Sequence, residues 1–414
     1  MQEAQEQLRQ GDLGSAKETL DEVKEKNPNE EHLWSMYGLL AEVMDRNYEV
    51  AIDDFRNELE AHPDDGATVA ALAGLQTKAH DPEGARKTLQ GYLDRHPDDA
   101  RLAIYLASLE TLADNKQGAL RTLEAAAKQN PDNLPLRVQM SQALVDLDRM
   151  EEAAAAAKSA LQGASDAYVL NDAAYTLSET GLDLDVAEDA SRKSIKILEG
   201  KSASFTTESA SQGTFLMTSS LAANWDTLGW ILFKEGKLDA AQSFIAPAWR
   251  VSLRGEIGEH LGQIYEAEGK KNKAATVYAL AQDALEKNSQ PDDRRRIAEG
   301  IDRLKADGAK PDSVTGTGAL QDLRTFKFPR PKGASGWGTF RLEVTTAGII
   351  ESQQITGAQT LDSVKPAVGA MKFPDFLPPD SNAHILLSAV IDCSLGTTCE
   401  LVLVPNGGLQ TERQ

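Results

Sequence analysis

Four stretches of the chain are variants of one phrase: KEKNPNE at residues 24–30, EAHPDDG at 60–66, DRHPDDA at 94–100 and KQNPDN at 128–133. Their prolines, Pro28, Pro63, Pro97 and Pro131, lie 35, 34 and 34 residues apart. In each phrase a proline followed by Asp or Asn stops one helix and offers a cap to the next. A steady period of about 34 residues leaves room for two helices per unit, the signature of a helical repeat array.

The side chains inside the period agree with that reading. Small residues recur where two helices must cross closely, at Ala51, Ala85, Ala119, Ala153, Ala187, Ala241 and Ala274. Four residues on, larger apolar residues follow in most units: Phe55, Leu89, Leu123, Ile245 and Tyr278. The i, i+4 spacing keeps each pair on one helical face. In this detail the sequence resembles the tetratricopeptide repeat (TPR) family. Trp225, Leu228, Gly229, Trp230, Gly236 and Ala241 follow that family's pattern, as do His260, Leu261, Gly262, Tyr265, Gly269, Ala274, Tyr278 and Ala281. Trp34 and Gly38 give a third copy, with one extra residue before Ala51. The resemblance implies a mainly helical, superhelical TPR-like solenoid of about eight units between residues 1 and 284. The first unit lacks all or part of its leading helix, and the fifth lacks the closing proline and is Ala-rich from Ala153 to Ala157. Ile297, Ile301 and Leu304 then mark an amphipathic helix suited to cap the array.

The period is interrupted between Leu198 and Ala222 by a Ser/Thr/Gly-rich run. It reads as an exposed loop with an early start of the next helix, or alternatively as a flap near a binding groove. The expected organisation is a solenoid with its cap at 1–306, a linker at 307–334 and a small α+β module at 335–408. Arg324, Lys327, Arg330 and Lys332, with Phe326 and Phe328 between them, read as linker lying on an acidic surface. The module reads ββαββ: two strands about a turn at Gly348, a short helix with Pro366 in its first turn, and a closing hairpin. Its order, including a helix that ends before Phe373-Pro374, resembles the C-terminal domain of TonB-type energy transducers. The layout as a whole looks like the C-terminal half of exported bacterial proteins that carry a transglutaminase-like domain ahead of TPR repeats.

The formal net charge is −21 and the pI about 4.8, which argues against a general nucleic-acid binder. No stretch approaches the roughly 18 apolar residues of a membrane span. MQEAQEQLRQGD begins as a helix already under way, without a signal-peptide core, so a fragment start is expected. The two cysteines, Cys393 and Cys399, flank a Ser-Leu-Gly-Thr-Thr turn and face each other across a hairpin. They form either a disulfide, which suits an oxidising compartment, or a reduced packed pair. With the family resemblance, the disulfide implies a bacterial periplasmic or extracellular protein.

Catalysis finds no support. A cysteine nucleophile needs a neighbouring His and carboxylate, and only His384 lies nearby in sequence. HExxH, CxxC, phosphate-loop and EF-hand patterns are missing, so neither metal nor cofactor is expected. Binding is the remaining class. In the TPR family the first helix of each unit lines a concave groove. Carried onto this chain, the groove positions are Arg101, Ile104, Ser108, Gln142, Tyr168, Asn171, Tyr175, Asp226, Trp230, Phe233, Glu259, Gln263 and Glu266. Trp230 and Phe233 alternatively pack between repeats. Basic carboxylate-clamp residues are not evident, so a basic or apolar segment suits this groove better than an acidic one. The expected function is a scaffold that binds a peptide or partner protein. The alternatives are the non-catalytic half of a larger transglutaminase-like enzyme, or an envelope assembly component that uses its C-terminal module for strand addition.

Overall fold

The computed structural model describes residues 1–45, 47–285, 291–311, 318–373 and 376–404. The chain forms two compact units, the first ending at Ala156 and the second beginning at Ala157.

The first unit is a run of antiparallel helix pairs. These are α1 (Gln2–Gln10) with α2 (Leu13–Lys26), α3 (Leu33–Asp45) with α4 (Tyr48–Ala61), α5 (Gly66–Lys78) with α6 (Pro82–Leu93), and α7 (Ala100–Leu112) with α8 (Lys116–Gln129). Next come α9 (Leu134–Val145) and α10 (Met150–Leu161), the latter crossing the unit boundary. Helix α1 is the shortened leading helix of the first repeat. The repeated phrases act as anticipated: Asp65, Asp99 and Asn133 each accept a hydrogen bond from the backbone N–H of a residue in the first turn that follows. Helix α3 is capped from outside itself. The fully buried Glu58 of α4 accepts the backbone N–H groups of His32, Trp34 and Ser35. The small residues Ala51, Ala85, Ala119 and Ala153 are all buried at the crossings.

The second unit continues with α11 (Ala167–Thr180), α12 (Leu184–Ser202), α13 (Gln212–Lys234), α14 (Leu238–Ser252), α15 (Gly255–Ala267), α16 (Lys271–Ala284) and the capping helix α17 (Pro291–Ala306). A short α18 (Ala319–Asp322) leads into the mixed module. Its strands are β1 (Thr325–Pro329), β2 (Trp337–Thr345), β3 (Gly348–Gly357), β4 (Ile385–Asp392) and β5 (Thr398–Val404). A 3₁₀ turn (Gln359–Val364) and α19 (Lys365–Gly369), with Pro366 in the first turn, lie between β3 and β4. The strands form one antiparallel sheet in the order β1-β5-β4-β2-β3. The inward residues Phe340, Leu342, Val344, Ile385, Leu387, Leu401 and Leu403 belong to the same apolar cluster as Leu198, Leu221, Trp225 and Trp249 of the helices. The later repeats and the sheet therefore share one core.

This changes the reading of the stretch expected as linker. Thr325–Pro329 is a sheet strand paired with β5, because Phe328 is buried and Phe326 packs on Phe373 and Phe376. Of the four basic residues, Arg324 leaves the surface, Lys327 and Arg330 are exposed but paired, and Lys332 stays exposed. Arg324 is buried and its guanidinium donates to the carbonyls of Arg250 and Val251 at the end of α14. Lys327 pairs with Glu400 at 2.8 Å, and Arg330 donates to the Cys393 carbonyl. Residues 312–317, Pro374, and the module's expected end beyond 404 lie outside the described residues.

The insertion between Leu198 and Ala222 starts α13 early, with Ser211 and Thr214 forming a reciprocal capping box. Its polar residues meet the sheet. Ser202 Oγ accepts the His384 N–H, Thr218 Oγ1 accepts the Leu386 N–H, and the Thr207 N–H donates to Glu351. Glu199 likewise accepts from Ser381 Oγ at 2.6 Å. The run is a platform for the module. Among the described residues no helix is long and apolar enough to cross a membrane.

Candidate functional site

The residues expected to line a groove divide between the two units. In the first, Arg101 is exposed and donates to the Gly66 carbonyl, and the Ser108 hydroxyl folds back onto the Tyr105 carbonyl. Ile104 and Gln142 are half-buried, Ile104 against the unit's apolar core. These four form no concentrated polar site.

The second unit does form one, from α11, α13 and α15. Asn171, Asp226 and Glu259 occupy equivalent positions of three successive first helices, and all are buried. Asp226 receives a 2.9 Å hydrogen bond from His260 Nδ1. The His260 ring stacks on Trp230 with centroids 4.1 Å apart, and Trp230 stacks on Phe233 at 5.0 Å. Trp230 Nε1 donates to Glu179 Oε1 at 2.6 Å. Trp230 is only 5% exposed, so it packs between repeats, whereas Tyr168 at the rim is 48% exposed and its hydroxyl lies 3.3 Å from Ser220 Oγ. Helix α17 adds a cation: Arg296 pairs with Asp293 at 2.5 Å and with Glu259 at 3.5 Å.

The electrostatics follow from burial inside this ring of charges. Burial alone would push the His260 imidazole down. Asp226, with Glu259 and Glu179 behind it, outweighs burial and raises its pKa to about 9. At neutral pH the site thus contains a buried imidazolium. Burial pushes the Tyr175 hydroxyl up, helped by Glu179 and Asp226. The Asp293 carboxyl is raised by burial and by Glu256 and Glu259, against Arg296 and His260. Asp172 is raised by burial, and the Asn171 amide only partly offsets that.

Two buried atoms at this site have no hydrogen-bond partner: Asn171 Oδ1, and Glu259 Oε2, which instead faces Arg296 Nε at 3.5 Å. Gln263 donates to the other Glu259 oxygen. Glu266 is committed elsewhere, accepting from the Tyr278 hydroxyl at 2.8 Å and from Arg303 at 2.6 Å. Glu179, His260, Asp293 and Arg296 were not among the expected groove residues. The available signal was positional: polar residues at one repeat position of three successive helices, where a freely solvated face would not need aromatic neighbours.

Other candidate chemistry resolves into structure. Cys393 and Cys399 are joined as a disulfide, with Cα atoms 4.4 Å apart, so neither sulfur is a free nucleophile in this state. Among the described residues, His32, Glu58 and Asp65 are near enough to hold a metal, but both carboxylates serve as helix caps. A cavity of about 370 Å³ lies where α14 and α16 meet the mixed module, lined by Trp249, Arg250, Tyr265, Leu280, Leu323 and Leu377.

Tetratricopeptide repeat family models match residues 1–66 and 43–109. No curated protein matches the chain. A TPR protein from Parabacteroides merdae is 14% identical, with a TM-score of 0.49 over 66% of this chain and 97% of that one. Yeast Tom70 is 14% identical, with a TM-score of 0.44 over 72% of this chain and 59% of its own. Pseudomonas aeruginosa pilF is 16% identical, with a TM-score of 0.37 over 47% and 89%. Likenesses this distant carry no argument about function. The helix pairs, their 34-residue recurrence and the family models together make the helical part a TPR-type repeat fold, followed by a small mixed module with an open antiparallel sheet.

Proposed function

We propose that the chain is a non-catalytic protein-interaction scaffold that receives a partner segment in the groove of α11, α13 and α15. One observation carries this reading: Asn171 is buried and its Oδ1 is left without a hydrogen-bond partner. A buried acceptor without a donor costs about 1–3 kcal/mol. Packing alone gains nothing from a buried Asn171 Oδ1 without a donor. A bound segment that supplies N–H donors offsets that cost. The residues that dock the mixed module sit on α12, on the loop before α13 and its early turns, and at the end of α14, so docking does not use the groove positions.

The test is quantitative affinity capture from the native lysate, comparing the wild type with a Tyr168→Ala/Asn171→Ala variant. A specific partner should be lost from the variant while its thermal unfolding stays within a few degrees of wild type. Equal recovery by both proteins refutes the groove. The Cys393–Cys399 disulfide supports placing this scaffold in an oxidising compartment, the periplasm or the exterior of a bacterial cell.

A second reading rests on β3, which among the described residues pairs only with β2 and exposes Ile350 and Ile355. An open edge of this kind accepts an added strand. Under it, Ile350→Lys/Ile355→Lys abolishes capture and the groove variant does not.

A further inference from the structure

We infer that the cavity between α14, α16 and the mixed module binds a small uncharged aromatic molecule that carries one N–H or O–H donor. Its volume, about 370 Å³, falls at the lower end of the range of about 300–1,000 Å³ in which small-molecule sites lie. None of the groove positions lines it. On α14 the wall includes Asp239, Ser243, Pro247 and Arg250, which share one helical face over about 16 Å. Trp249, Leu261 and Leu280, each 3% exposed, make another part of the wall apolar. The module contributes Leu323, Leu377 and Pro379. A ligand seated here touches repeats and module together, so its binding stabilises their union.

A proline sets the demand for a donor. Pro247 lies inside α14 and has no backbone N–H, so the carbonyl of Ser243, one turn earlier, lacks its helical donor. Both residues line the cavity, Pro247 buried and Ser243 half-buried. The Ser243 hydroxyl does not serve that carbonyl, because its hydrogen goes to the Ala240 carbonyl at 2.7 Å. A ligand N–H or O–H that reaches the Ser243 carbonyl replaces the bond that Pro247 removes. Trp249 and Tyr265 place two aromatic rings on the wall, which favours an aromatic body over an aliphatic one of equal size. Asp239 and Arg250 stand at opposite ends of the α14 face with opposite charge, and the wall between them is largely apolar. A charged ligand would give up water there without gaining a matched field, so the ligand is uncharged.

The experiment titrates the full chain with indole, 1-methylindole, tryptamine and indole-3-acetate and follows binding by ligand-observed NMR. Indole should bind, 1-methylindole about threefold to tenfold more weakly for want of the donor, and the two charged analogues more weakly than indole. Pro247→Ala returns an N–H to the Ser243 carbonyl and should bring indole down to the affinity of 1-methylindole. Ala246→Phe fills the cavity and should remove binding of all four probes. Tyr168→Ala/Asn171→Ala should bind indole as the wild type does, which separates this site from the groove. Circular dichroism checks folding. Val277→Phe serves where Ala246→Phe unfolds the chain, and the two indoles on the wild type decide the donor where Pro247→Ala does. Indole binding that survives in the folded cavity-filled variant lies elsewhere and overturns the site. Equal affinity for indole and 1-methylindole overturns the donor, and tighter binding of tryptamine or indole-3-acetate overturns the uncharged class. Failure of indole to bind at about 1 mM rejects the inference.

Discussion

His260 shows how one residue's role depends on its neighbours. Its imidazolium is buried against Asp226 and stacked on Trp230. Because its folded pKa, about 9, stands above the ordinary value of 6.5, its contribution to stability is full below pH 6.5 and disappears as pH rises through 9. The size of that contribution is on the order of 3 kcal/mol. Comparing wild type and His260→Gln by urea unfolding from pH 6 to pH 10 should show a gap that closes toward the alkaline end. A constant gap means the imidazole is held neutral. Trp230→Ala should cost about 3–5 kcal/mol, because the ring is a core residue. Tyr168→Ala, at the exposed rim, should cost little. Sequence reading named Trp230 and Tyr168 together as groove positions, since repeat position alone does not distinguish a buried ring from an exposed one.

At the scale of elements, the crossings of paired helices carry the fold. A methyl added at Gly229 of α13 meets Ile245 Cγ1 of α14 and comes within 3.1 Å of the Ala241 carbonyl oxygen. In an open helix Gly→Ala stabilises by about 1 kcal/mol. Here Gly229→Ala should instead destabilise by about 1–3 kcal/mol, the cost of overpacking. Thermal unfolding reads the sign directly, and a rise in Tm means the two helices are not in close contact. The Gly and Ala positions were legible in the sequence because close approach tolerates only small side chains. The insertion between Leu198 and Ala222 was legible only as an interruption. Its Ser and Thr side chains are uninformative until Leu386 and His384 are placed beside them.

At the scale of the molecule, the second unit joins repeats and sheet through one apolar cluster and a few buried polar contacts. Arg324 is the most exacting of these. Among the described residues it has no carboxylate partner, and it sits at the carbonyl end of α14, where the helix dipole favours a cation. Burial lowers its pKa to about 10. Arg324→Leu should cost about 1–3 kcal/mol through the unsatisfied carbonyls of Arg250 and Val251, read as a lower Tm for the transition that Trp225 and Trp249 report by fluorescence. A chain ended at Asp307 should melt its later repeats earlier still and bind a hydrophobic dye. Melting that matches the full chain shows instead that the sheet is an independent appendage. Thiol titration of the denatured, non-reduced protein should find no free cysteine.

By itself the sequence determined the helical repeat, its period, its crossings and the hairpin that brings Cys393 to Cys399. All of these depend on spacing along the chain and on side-chain size. Tertiary structure alone decided the joining of the sheet to the later repeats and the charge arrangement among α11, α13, α15 and α17. Arg324 meets α14 across 73 residues of chain, and His260 meets Asp226 across 34. Nothing local in the sequence marks such partners. Burial then gives each charge its meaning, because a carboxylate that is unremarkable in water becomes a demand for a donor once water is excluded.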